Sequence, residues 1–391
     1  MGDSSVGVYV HVPFCERVCP YCDFAVVGGG VSAEQERRYL GALRQELRLR
    51  ASVFRGRRLA SLYLGGGTPS LLRPDSVAAI AEMVVAEFGD PIEDFEFTLE
   101  VNPSSVEREQ LPGFRAAGVN RVSLGVQSFD DGVLKRLGRA HSADESRQTL
   151  AAARRARFEN ISVDLMFAAP GQSLAQLRND LEQTRAFGPE HVSTYELVVE
   201  AGTPFALAER RGQLPRADAD LAADMVEAID ATLLEIGLER YELTNYAKPG
   251  WESRHNRRYW VREPVLGLGV GAWSSVPSGV SCPYGGRSRN LRSLAGYFQR
   301  IEADEPATEE VEIHPAATAR GEAVFLALRC REGLLAARFV AWFGEPPRAF
   351  FAEAIESLAR DGLVVESEAG DLRLTERGRM LADLVGESFV C

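Results

Sequence analysis

Long apolar runs are missing from this 391-residue chain: none approaches the roughly 18–20 residues that cross a bilayer. Positive charge is outweighed, with 44 Lys and Arg against 56 Asp and Glu for a net charge of −12. That balance disfavours nonspecific nucleic-acid binding, which depends on neutralising phosphates, although a local basic groove is compatible with it. A secretion signal is lacking, because MGDSSV has neither a basic nor an apolar region, and Val6 stands where a myristoylation signal needs Ser or Thr. The expected location is the cytoplasm, with any membrane contact made through a partner. Cysteine is scarce, at six residues, and in a large chain without a leader a disulfide framework is not expected. Repeats of solenoid period and long low-complexity segments are lacking as well.

What is present is an alternation. Short β-branched segments at 8–11, 61–64, 95–101, 121–126, 162–167 and 191–198 are separated by helix-like stretches at 33–51, 74–88, 106–117, 143–156 and 174–186. Strand-then-helix repetition predicts βα units and a parallel sheet, either doubly wound or curled into a barrel. A further helix is expected at 217–236, followed by a loop-rich stretch containing RHNRRYW and GLGVGA. From about residue 303 the pattern is helix, helix and a short hairpin, with Val364 and Val365, then Leu372 and Leu374, flanking Glu368-Ala369-Gly370. That order predicts a small, mostly helical, winged-helix-like domain. The expected division is 1–240, 241–302 and 303–391.

In a parallel barrel, chemistry gathers at the C-terminal ends of the strands. Here the first strand runs into CERVCPYC, which carries Cys15, Cys19 and Cys22. The second ends in LGGGTPS with Gly66, Gly67 and Thr68, the third at Glu100, and the fourth at Gln127. The fifth contains Asp164 and the sixth leads to Glu196. A carboxylate such as Asp164 on an apolar strand is expensive to bury without a partner. The bland alternatives stay open: a simple glycine turn, strand-end carboxylates satisfied by backbone, and a solvated Arg139. The solitary Cys282 and Cys330 read as small buried hydrophobes, and Cys391 as a tail residue.

Three thiolates at C-x3-C-x2-C spacing exclude little by themselves. A structural zinc site needs a fourth ligand, and a redox C-x2-C leaves Cys15 unexplained. The remaining reading is a 4Fe–4S cluster, in which three thiolates leave one iron open to chelate a small molecule's amino and carboxylate groups. A low-potential electron could then cleave S-adenosylmethionine to methionine and a 5′-deoxyadenosyl radical.

C-x3-C-x2-C after a first strand, followed by GGGTPS, resembles the radical S-adenosylmethionine superfamily. YVHVPFC…CDF resembles its branch containing oxygen-independent coproporphyrinogen III dehydrogenase. The resemblance implies an α/β fold, a partial (βα)6 TIM-type barrel over 1–240 that holds the 4Fe–4S cluster on Cys15, Cys19 and Cys22. It also implies S-adenosylmethionine contacts at Tyr9, Gly66, Gly67, Thr68, Glu100, Gln127, Arg139 and Asp164, with Tyr21 packing on the adenine. Phe24 replaces the dehydrogenases' fourth cysteine, and their longer N-terminal extension is missing. His255, Asn256, Tyr259 and Trp260 instead match the H-N-x-x-Y-W signature of the haem chaperone group known as HemW. That resemblance implies haem as cargo and acceptor haemoproteins as partners, without coproporphyrinogen dehydrogenase activity. His255 is then the candidate iron ligand, and Arg254, Arg257, Arg258 and Arg262 the candidate propionate partners. A packed histidine in a basic loop is the bland reading of the same segment. A homodimer is compatible with the resemblance. The alternatives are the dehydrogenase itself, which decarboxylates propionate side chains oxidatively, and a methylase or cyclopropanase of the same branch. RNA modification fits the acidic composition poorly.

Overall fold

The structure, a computed structural model, describes residues 5–279 and 282–390. Cys391 lies outside the described residues. Six parallel strands form its centre: β1 (Ser5–Val12), β2 (Arg58–Gly66), β3 (Glu96–Val101), β4 (Arg121–Gln127), β5 (Asn160–Phe167) and β6 (His191–Glu196). Between and after them run α1 (Ala33–Arg50), α2 (Pro74–Phe88), α3 (Ser105–Ala116), α4 (Asp131–Arg136), α5 (Ala143–Arg155), α6 (Leu174–Phe187), α7 (Pro204–Arg210) and α8 (Ala219–Glu235). The helix starts are written locally. Capping boxes at Ser32/Gln35, Ser142/Glu145 and Ser173/Gln176 satisfy the first free N–H groups of α1, α5 and α6.

The sheet is wider than the six expected strands. Residues after α8 add β7 (Glu239–Arg240) and β8 (Asn245–Ala247) antiparallel beyond β6. A short helix, α9 (Arg254–Trp260), then leads to β9 (Val265–Gly269), which pairs in parallel with the free side of β1. β10 (Trp273–Val276), β11 (Gly286–Asn290) and, after α10 (Leu294–Glu302), β12 (Thr308–Ile313) continue that edge antiparallel. Two-residue and glycine-rich strands carry too little periodicity to be read from sequence.

Side-chain alternation gives the sheet two unlike faces. Val8, Val10, Leu62, Leu64, Phe97, Leu99, Val122, Leu124, Ile161 and Val163 join the main apolar core with α1, α2, α3, α5 and α6. Their sequence neighbours are polar. Tyr9, Tyr63, Thr98, Arg121 and Asn160 stand in one laterally paired row. Glu100, Ser123, Ser162 and His191 form another. A parallel sheet covered on both faces normally presents apolar runs on both. This one encloses polar groups, which marks that face for ligands.

The C-terminal segment has its own core. α11 (Ala316–Leu328), α12 (Ala336–Phe343) and α13 (Arg348–Arg360) are followed by the hairpin β13 (Val364–Glu366) and β14 (Leu372–Leu374), then α14 (Glu376–Met380) and α15 (Ala382–Glu387). Phe339, Ile355, Leu372, Val385 and Phe389 fill it. Three helices precede the hairpin, one more than the expected helix, helix and hairpin, and two short helices follow it.

Candidate functional site

β1 delivers the cysteine loop to the C-terminal rim. The loop closes on itself: Cys15 N–H donates to Val27 O at 2.9 Å, Val27 N–H to Pro13 O at 2.7 Å, and Gly30 N–H to Cys15 O at 2.8 Å. Cys22 N–H turns back to Cys19 O at 3.1 Å, and Phe205 N–H of α7 holds Pro20 O at 3.0 Å. Three thiols are thereby carried on one braced loop, Cys15 buried and Cys19 and Cys22 partly open. Burial pushes the Cys15 thiol up to about 11 and raises that of Cys22, so both are protonated until a metal displaces the proton. Among the described residues no three His, Cys, Asp or Glu side chains, the three cysteines included, are gathered closely enough to hold a single metal ion.

The glycine motif lies directly against this loop. Gly67 N–H donates to Val12 O, and a Cβ at Gly67 would meet Phe14 O at 2.7 Å, Val12 O at 2.8 Å and Cys15 Sγ at 3.1 Å. Gly66 takes φ +104°, and a Cβ there would sit 2.5 Å from the His11 ring. Only glycine fits either position. His11 is a buried member of the site that the sequence pattern had passed over. Its Nδ1 meets Tyr9 Oη of the same strand at 3.1 Å and its Nε2 meets Ala25 O at 3.1 Å, tying the far end of the cysteine loop to the sheet.

From there the polar residues form one connected surface. Glu100 accepts from Tyr63 Oη at 2.9 Å and from Gly66 N–H at 3.1 Å, and burial pushes its carboxyl up to about 7. Asp164, raised by burial, accepts from Ser123 Oγ at 2.9 Å and Ser162 Oγ at 3.0 Å. Asn102 Nδ2 donates to Thr68 Oγ1 at 3.0 Å and its Oδ1 accepts from Arg139 Nη2 at 2.6 Å. The Arg139 guanidinium also holds Gly125 O at 3.1 Å and reaches Cys19 Sγ at 3.7 Å. Tyr21 packs on Phe205 with ring centroids 6.1 Å apart. Asn102, directly before Pro103, was visible in LEVNP but carried no signal of its own role.

Among the described residues, the buried atoms at this rim without a hydrogen-bond partner include Gln127 Oε1 and Arg139 Nε. Gln127 adopts φ +65°, a strained conformation for a residue with a side chain. An unpaired buried acceptor and an unpaired buried donor, side by side with three thiols, are what a polar ligand would satisfy. A cavity of about 230 Å³ bordered by Cys19, Asn102 and Arg139 opens beside them. Tyr9, Tyr21, Gly66, Gly67, Thr68, Glu100, Gln127, Arg139 and Asp164 could therefore line a cosubstrate site around the cysteines.

The RHNRRYW segment is placed elsewhere. It forms α9, whose first turn caps the N-terminal end of β3: the Arg254 and His255 N–H groups donate to Glu96 at 2.9 and 3.0 Å. His255 is 1% exposed, with Nδ1 on Ser61 Oγ at 2.9 Å and Nε2 on Tyr259 Oη at 3.2 Å. Burial lowers its imidazole to about 3, so it is a neutral floor residue with both ring nitrogens engaged. Asn256 N–H is held by the Ser253 cap. Trp260 turns toward the C-terminal core, with Arg329 5.2 Å over its ring. Arg254, Arg257, Arg258 and Arg262 each pair with a carboxylate, at Asp94, Glu332, Glu263 and Glu322.

Comparison with known proteins fits this geometry. A family model described as the radical SAM superfamily matches residues 9–184, and one described as the HemN C-terminal domain matches residues 315–381. A Bacillus subtilis protein named heme chaperone HemW is 33% identical over 98% of this chain and 98% of its own. A Mycobacterium tuberculosis protein of the same name is 37% identical over 98% of this chain and 95% of its own. Among solved structures, the Escherichia coli coproporphyrinogen III oxidase HemN, described as a radical SAM enzyme, superposes with a TM-score of 0.82. Its identity is 26%, over 99% of this chain and 90% of that one.

Proposed function

Because the chain belongs to the radical SAM superfamily, in the family of the heme chaperones HemW, we propose that it binds haem and delivers it to acceptor haemoproteins. The observation that carries this reading is the 33–37% identity to curated heme chaperones across nearly the whole of both chains. Cys15, Cys19 and Cys22 would hold a 4Fe–4S cluster, and the polar rim from Tyr9 to Asp164 would hold S-adenosylmethionine. Bound there, the cluster supplies a low-potential electron and an open iron. The chain's own part is to position. Gly66 and Gly67 let backbone approach the ligand, and Gln127 Oε1 and Arg139 Nε offer an acceptor and a donor that no other described residue satisfies. In this reading residues 1–240 would supply the barrel and 241–302 widen its sheet and close its floor, while the helical domain expected over 303–391 would begin only at α11, because β12 (Thr308–Ile313) belongs to the sheet. The chain works in the cytoplasm, its partners being haem and apo-haemoproteins.

The structural likeness to HemN keeps coproporphyrinogen oxidation as the second reading. Anaerobically reconstituted protein should bind haem stoichiometrically, pass it to an apo-haemoprotein, and leave coproporphyrinogen III unchanged in the presence of S-adenosylmethionine and reductant. Accumulation of protoporphyrinogen IX, or an absence of haem binding, would overturn the chaperone reading.

A further inference from the structure

One buried histidine has both ring nitrogens engaged and yet stands outside the cosubstrate rim. His191, at the start of β6, is fully enclosed. Its Nδ1 lies 2.8 Å from Ser162 Oγ and its Nε2 lies 2.9 Å from Tyr241 Oη. Tyr241 opens the run YELTNYAKPG directly after β7, and the antiparallel pairing of β8 with β6 draws that run against the barrel. Ser162 Oγ is in turn 3.0 Å from Asp164 Oδ1. At the far end Ser253, the cap of the signature helix α9, donates its N–H to Tyr241 Oη at 3.3 Å. Asp164 is thereby joined through Ser162, His191 and Tyr241 to the start of α9.

The protons on this chain have one consistent arrangement. Burial, and after it the Arg121 guanidinium, lower the His191 imidazole, so the ring is neutral and carries a single proton. Burial holds the Tyr241 phenol well above its usual range, so its O–H is intact. The Ser253 N–H already donates to Tyr241 Oη, and among the described residues His191 Nε2 is the acceptor for the phenolic proton. A bare Nε2 places the ring proton on Nδ1, which donates to Ser162 Oγ. Ser162 then has its own proton to give. Ser193 Oγ is 3.4 Å away and Asp164 Oδ1 is 3.0 Å away, and the carboxylate is the nearer and stronger acceptor. Every donor in the chain points toward the cosubstrate rim, and each link polarises the next.

We propose that His191 and Tyr241 are positioning residues for S-adenosylmethionine, which act through Ser162 to hold the Asp164 carboxylate oriented as an acceptor at the rim. The proposal rests on the cosubstrate reading of that rim and adds the residues that aim it. Without a donor at His191 Nδ1, the Ser162 hydroxyl is free to turn to Ser193, and Asp164 loses one of the serines that orient it. The relay also ties the first turn of the signature helix to the cosubstrate site, through groups that are all buried inside the barrel.

The test titrates the anaerobic, cluster-loaded full chain with S-adenosylmethionine in a calorimeter. His191→Leu has similar volume but removes both ring nitrogens, and it should weaken binding about tenfold. His191→Asn is smaller but sets an amide N–H near the Nδ1 position, and it should recover most of that affinity. A role in packing alone predicts the reverse order, because asparagine leaves the larger void. Tyr241→Phe, which deletes a single oxygen, should weaken binding about threefold or more, and it carries the test if the His191 variants do not load the cluster. In an Asp164→Asn background neither His191→Leu nor Tyr241→Phe should cost anything further, because the relay acts through that carboxylate. Iron and sulfide content should match wild type in the variants that are compared. Wild-type affinity in His191→Leu and Tyr241→Phe, or losses that add to that of Asp164→Asn, would overturn the relay and leave the cosubstrate reading standing. Failure of the wild type itself to bind S-adenosylmethionine would overturn both.

Discussion

Glu100 shows how one buried side chain links the site to stability. Its carboxyl is pushed up to about 7 by burial, with the bonds from Tyr63 and Gly66 opposing, whereas an unfolded glutamate titrates near 4.5. Between these values the folded chain holds a proton that the unfolded chain has released. Stability therefore falls as pH rises from 4.5 to 7 and is level above that. Glu100 keeps some surface at the rim, so on the order of 3 kcal/mol is an upper limit for this effect. His11 and His141, lowered to about 4 by burial, work in the opposite sense, because they lose stability as pH falls below 6.5. The clean measurement is a difference. Urea unfolding of the cluster-free chain should show Glu100→Gln gaining on wild type from pH 4.5 to 7.5, and parallel curves would contradict the assignment. At this scale Cys15, Cys19, Cys22 and the glycines were legible because their spacing is local. His11, Asn102 and Arg121 were not, because what singles them out is which strand lies beside them.

At the scale of elements, the β4–α4 turn is held in a strained shape by two neighbours. Asp180 of α6 is fully buried and accepts from Phe129 N–H at 2.6 Å and Ser128 Oγ at 2.8 Å. His141 Nε2 holds Val126 O at 3.1 Å from the start of α5. Between them Gln127 is kept at φ +65° with its side-chain carbonyl unpaired. Asp180→Ala leaves a buried hydroxyl and a buried N–H without acceptors, at about 1–3 kcal/mol each. It should weaken S-adenosylmethionine binding about tenfold or more by calorimetry while iron content stays unchanged. Equal affinity would show that the turn needs no brace. The helix boundaries could be read because capping boxes are sequence-local. The brace could not, since it joins residues about fifty positions apart.

Across the whole molecule, one exposed edge has to be kept from pairing with other chains. β12 ends the sheet with alternate residues outward: Glu309, then Val311 at 65% and Ile313 at 60% exposure. A charge in that row opposes strand addition. Glu309→Val should produce concentration-dependent association in sedimentation velocity, and a chain behaving as wild type would show the edge to be protected otherwise. The six parallel strands, their helices and the terminal hairpin were written in periodicity and in the caps that bound each segment. So were the cysteine loop and the glycine motif, since all of these depend on neighbours a few residues away. The tertiary structure alone decided that β9 flanks β1, that the polar residues of six strands share one enclosed face, and that the signature helix seals the barrel floor. Each of those rests on register and burial between distant segments, which no local pattern encodes.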